Sequence, residues 1–128
     1  MLELLAGEDL QVRVERDGVL PLREALARAH DVGEALEAVH AAGVVHRDVK
    51  PANIMVTHTP RGRALAKLID FGVASTRLDH WGNALVGTPS YLAPEQMFGQ
   101  GVADPRVDIW SLGASLYCCL TGRPPHVA

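Results

Sequence analysis

His46-Arg47-Asp48-Val49-Lys50-Pro51-Ala52-Asn53 gathers a carboxylate, an ammonium and a carboxamide into one short stretch, behind a His-Arg pair. The apolar pair Val44-Val45 precedes it and the apolar run Ile54-Met55-Val56 follows. A polar loop between two short strands holds such groups rigidly at the edge of a cleft. There Asp48 can accept a proton from a hydroxyl nucleophile and Lys50 can neutralise a phosphoryl group in transit. Asn53 can ligate a magnesium ion through its oxygen.

The flanks of this stretch read as alternating helix and hairpin. Residues 54–57 and 64–69 have strand character and are joined by a polar turn at 58–63. The second strand runs into Asp70-Phe71-Gly72, where Gly72 permits a sharp turn and Asp70 offers a hard oxygen ligand. Upstream, residues 8–16 suggest a short helix closed by Asp17-Gly18, and Pro21 opens a longer one reaching about residue 42. Leu22, Ala25, Leu26, Ala29, Val32, Gly33, Leu36 and Val39 form its expected apolar stripe, and Gly43 its stop. His30 and His40 lie on this helix without a ligand partner at suitable spacing and read as ordinary histidines. Residues 94–98 suggest a short helix. Residues 106–121 suggest a longer one, apolar nearly all round and so expected in an interior, ended by Gly122 and Pro124-Pro125. Asp108 near its start needs a polar partner. The expected class is mainly α with small β-hairpins, α+β.

The 128 residues fit one domain of ordinary size, with 48% hydrophobic and 21% charged residues. A net charge of -3 leaves no electrostatic footprint for nucleic acid. The uncharged apolar stretch 109–120 is too short to span a bilayer, and the first residues lack a secretory signal's pattern. Cys118 and Cys119 are adjacent, which on a helix precludes an undistorted disulfide, so a reduced, cytoplasmic setting is expected.

The stretch 46–53 resembles the catalytic loop of eukaryotic-type serine/threonine protein kinases, His-Arg-Asp-x-Lys-Pro-x-Asn, in a bacterial-looking version. Asp70-Phe71-Gly72 resembles the metal-binding element of that family. The resemblance implies Asp48 as base, Lys50 at the phosphate, and Asn53 with Asp70 sharing Mg²⁺ (or Mn²⁺) on ATP. It also implies that Phe71 packs on His46. Residues 2–10 look like the hinge between the two kinase lobes, which implies adenine contacts at Glu3 and Leu5 and a ribose contact at Asp9. Asp9 reads equally well as a helix-start residue. Met55 would lie in the apolar floor under adenine, or simply in the core.

Gly87-Thr88-Pro89-Ser90-Tyr91-Leu92-Ala93-Pro94-Glu95 resembles the close of an activation segment. That implies Thr88 hydrogen-bonded to Asp48 and Lys50, and Lys50 with Thr88 favours serine/threonine over tyrosine kinases. Arg47 can grip a phosphate on the segment, for which Ser75 and Thr76 are the early candidates. Asp108 would accept backbone N–H bonds from the His46-Arg47 turn, and Glu95 would pair with an arginine beyond this stretch.

The resemblance spans residues 1–128 as part of a kinase domain: a large lobe, expected to be truncated at both ends. The first lysine is Lys50 and no Gly-x-Gly pair precedes it, so the small lobe's phosphate loop and lysine are expected elsewhere. The implied partners are ATP, a protein carrying serine or threonine, and a missing small lobe or another kinase chain. The competing expectation is a non-catalytic kinase-like binding module or gene remnant; a small-molecule kinase has no need of the 87–95 element.

Overall fold

The structure, a computed structural model, describes residues 7–69, 75–76, 89–97 and 104–125. Strand β1 (Gly7–Asp9) leads into helix α1 (Leu10–Asp17) and then α2 (Leu22–Ala41). Strand β2 (Val44–Val45), a 3₁₀ turn (Pro51–Asn53), and strands β3 (Ile54–His58), β4 (Ala64–Leu68) and β5 (Ser75–Thr76) follow. A second 3₁₀ turn (Pro89–Tyr91), helix α3 (Pro94–Met97) and helix α4 (Arg106–Thr121) complete the order. One antiparallel sheet runs β1-β3-β4, and β2 pairs with β5 in a separate ribbon.

Helix α1 starts at Leu10, two residues later than its sequence suggests, because Glu8 pairs with Val56 in β1. Asp9 caps the helix: its carboxylate accepts the Val12 N–H at 2.8 Å. Gly7 is required where β1 meets β3, since a Cβ there would stand 1.9 Å from the Val56 carbonyl oxygen.

Helix α2 buries the expected stripe only in part. Ala25, Arg28, Val32 and Leu36 face inward, whereas Leu22 and Leu26 are 60% and 51% exposed. The apolar count misplaces part of the face because Arg28 is buried in an ion pair with Asp31. Gly43, at φ 82°, closes α2 by giving its N–H to the His40 carbonyl at 2.9 Å, a conformation that favours glycine.

The main core joins Leu10 and Val14 of α1, Leu20, Val32 and Leu36, the β3 residues Ile54 and Val56, Ala66 of β4, and Cys119 of α4. Helix α4 packs on α2 and keeps the bounds read from sequence. It is not wholly interior: Ile109, Trp110 and Tyr117 are 54%, 44% and 41% exposed and line a groove of about 290 Å³. Cys118 and Cys119 are free and buried. No described helix is long and apolar enough to cross a membrane.

Candidate active site

The stretch 46–53 lies between β2 and β3, so two paired strands anchor its ends. Its backbone is turned at Arg47, whose φ of 77° falls in the left-handed region that non-glycine residues avoid. Holding that conformation costs about 1–3 kcal/mol and needs support from outside the loop. Asp108, at the start of α4 and fully buried, supplies it. Its Oδ2 accepts the His46 N–H at 2.8 Å and its Oδ1 accepts the Arg47 N–H at 2.8 Å. Each bond serves a carboxylate that would otherwise be costly to bury.

A third partner completes this node. His40 Nε2, in the last turn of α2, donates to Asp108 Oδ2 at 2.7 Å. The residues are 68 positions apart, and nothing local to His40 marks it, which is why it reads from sequence as an ordinary histidine. Folding joins the end of α2, the start of α4 and the polar loop at one carboxylate.

His46 is buried and engages both ring nitrogens. Nδ1 accepts the Asp48 N–H at 3.0 Å, so the proton resides on Nε2, which donates to the Ile69 carbonyl at 2.9 Å. The Ile69 N–H in turn bonds the Asn53 carbonyl at 2.9 Å. Ile69 therefore ties the polar loop to the chain position immediately before Asp70.

Asp48, Lys50 and Asn53 converge within the loop. Asn53 Nδ2 donates to the Asp48 carbonyl at 2.8 Å and stands 3.3 Å from Asp48 Oδ2, while Lys50 Nζ lies 3.7 Å from the same oxygen. With its amide nitrogen committed to Asp48, Asn53 has its oxygen to offer a hard cation, a donor type that suits Mg²⁺. Met55 follows on β3, half-buried, and pairs across the sheet with Asp9 on β1. Glu3, Leu5, Asp70, Phe71, Gly72 and Thr88 lie outside the described residues.

The 89–97 segment is hydrogen-bonded to α4 and within itself. Ser111 Oγ donates to the Tyr91 carbonyl at 2.7 Å, and Gln96 Oε1 accepts the Ala93 N–H at 2.9 Å. Burial raises the Tyr91 phenol above its ordinary range and pushes the neighbouring Cys119 thiol up to about 12. Glu95 is half-buried and, among the described residues, forms no ion pair; its charge is felt by Arg106. The backbone of Ser75 and Thr76 pairs with Val45 and Val44, directly before the loop.

Comparison with known proteins gives the same reading over the whole length. A family profile described as "Protein kinase domain" matches residues 1–128. Serine/threonine-protein kinase PknE of Mycobacterium tuberculosis is 44% identical over 98% of this chain and 22% of its own length. Serine/threonine-protein kinase PknB of Mycobacterium leprae is 40% identical over 99% of the chain and 20% of its own length. Serine/threonine-protein kinase PknA of Mycobacterium tuberculosis is 42% identical, over 98% and 28% respectively. The chain thus spans between a fifth and under a third of the length of these relatives.

Proposed function

The chain belongs to the protein kinase domain family, and from that premise we propose that it is the large-lobe part of a serine/threonine protein kinase. The reaction is in-line transfer of the ATP γ-phosphoryl group to a serine or threonine hydroxyl of a protein. Asp48 takes the hydroxyl proton and Lys50 balances the charge on the phosphoryl oxygens. Asn53 and Asp70 hold the divalent cation, which when bound neutralises the nucleotide phosphates. Met55 supports the base, Glu3 and Leu5 offer backbone contacts to its edge, and Asp9 lies at the ribose side. Thr88 keeps Asp48 and Lys50 in register.

The observation that carries this reading is the node at Asp108. One buried carboxylate fixes the His46-Arg47 turn, and the turn delivers Asp48, Lys50 and Asn53 into mutual reach. A loop carrying these residues by chance would have no reason to be so over-determined.

The small lobe, with its phosphate loop and lysine, is proposed to come from outside these residues, since Lys50 is the first lysine. ATP affinity of the chain alone is expected to be poor. The free, buried cysteines suit a cytoplasmic setting. Radiolabelled ATP with a protein acceptor tests the reading: transfer requires a supplied small lobe and disappears in Asp48→Asn. The exposed groove on α4 favours, as a second reading, a module that docks on a partner. Partner capture unaffected by Asp70→Asn, without nucleotide uptake by titration calorimetry, would establish that instead.

A further inference from the structure

Strand β4 is an edge of its sheet among the described residues, yet one of its outward N–H groups is not left to solvent. Ala66 donates to Asp31 Oδ2, from the middle of α2, at 3.0 Å. Arg28, one turn earlier, brings Nε to 3.0 Å of the same oxygen; the side chains of Arg28 and Asp31 are only 11% and 9% exposed. The Arg28 N–H is not aimed for a hydrogen bond, so its service to Asp31 is chiefly electrostatic. A guanidinium this close offsets part of the cost of burying the carboxylate.

On its other side, β4 pairs with β3 through Ala66↔Val56 and continues to Ile69, whose N–H and carbonyl engage Asn53 and His46. Outward N–H groups recur only at alternate residues of a strand, so Asp31 is matched to one register. A slip of one residue would carry Ala66 off the core and shift the end of the strand by about 3.4 Å. We propose that Asp31, with Arg28 as its counter-ion, is a positioning residue of the transfer site: by capping Ala66 it fixes the register in which Ile69 engages His46 and Asn53, and so where the Asn53 oxygen is offered to the metal. This rests on the kinase reading above.

The test compares two double variants of this chain, each assayed with a supplied small lobe. Arg28→Met with Asp31→Leu removes the cap without leaving a buried orphan charge. Arg28→Met with Asp31→Asn keeps a neutral acceptor for the Ala66 N–H. The Mg²⁺ concentration for half-maximal activity should rise about 10-fold or more in the leucine variant, the range seen when groups that orient a metal ligand are lost. It should stay near the parent value in the asparagine variant, and the KM for protein substrate should not move in either. Hydrogen exchange at the Ala66 amide should be slow in the parent and the asparagine variant and fast in the leucine variant, a readout independent of activity. Equal Mg²⁺ dependence in all three proteins, or a rapidly exchanging Ala66 amide in the parent, overturns the inference. Asp70→Asn is the control for the kinase reading itself: unchanged Mg²⁺ dependence there overturns that reading, and this inference with it.

Discussion

Arg47 shows how one residue depends on distant ones. Its left-handed φ would relax if the two N–H bonds to Asp108 were lost, and His40 shares that carboxylate. His40→Ala should therefore destabilise the fold by about 1–3 kcal/mol, the cost of leaving a buried group short of a partner. It should lower kcat on the order of 10-fold or more through misplacement of Asp48 while leaving the KM for ATP near its parent value. His40→Gln, which retains a donor of similar reach, should recover part of both losses. Steady-state kinetics with thermal unfolding reads this out, and a change confined to KM would assign His40 to binding instead. The convergence of Asp48, Lys50 and Asn53 was legible in the sequence because they share one short window, whereas the bonds of Asp108 to the His46-Arg47 turn were implied by the family resemblance alone. His40 and Asp31 were not legible, because each gains its meaning only from a partner brought from 68 and 35 positions away.

Among the elements, the two helices after β1 are joined by a forked pair. Arg13 of α1 donates to both oxygens of Glu24 on α2, at 2.6 and 3.0 Å. Those hydrogen bonds hold the Glu24 carboxyl below its ordinary 4.5. A carboxyl lowered in the folded state binds fewer protons there than when unfolded. Its stabilisation is thus complete above 4.5 and fades as pH falls through the folded value. Arg13→Met should cost about 1 kcal/mol at neutral pH, and its urea midpoint should converge with the parent's in acid. A gap that persists in acid would mean that Arg13 acts through packing.

Cys119 on α4 is governed by burial rather than by a partner, with its thiol raised to about 12 chiefly by desolvation. Native protein should resist iodoacetamide at Cys118 and Cys119 by mass spectrometry, whereas unfolded protein should label at both. Rapid native labelling would show that the α4 packing opens. The bounds of α4 followed from its stop signals, and those of the β3–β4 hairpin followed from strand character apart from the last residue of each strand. The inward face of α2 followed at Ala25, Val32 and Leu36 but not at Leu22 and Leu26, because the apolar period leaves out the buried Arg28–Asp31 pair.

At the scale of the molecule, the exposed Ile109, Trp110 and Tyr117 give α4 a face that an interior helix would cover. The chain alone should bind a hydrophobic dye and self-associate, and Ile109→Gln with Tyr117→Gln should reduce both in light scattering. A monomeric parent that does not bind dye would contradict that expectation. Activity calls for more than this loop, because a base, a metal ligand and a hydroxyl acceptor act only when nucleotide is clamped over them. The most direct measurement is transfer of radiolabelled γ-phosphate to serine or threonine of a protein acceptor, by the chain supplied with a small lobe, in parent and Asp48→Asn forms. The parent should transfer, and Asp48→Asn should lose about 10²-fold or more of the rate. Equal rates in the two forms would contradict the assignment of this loop as the catalytic one.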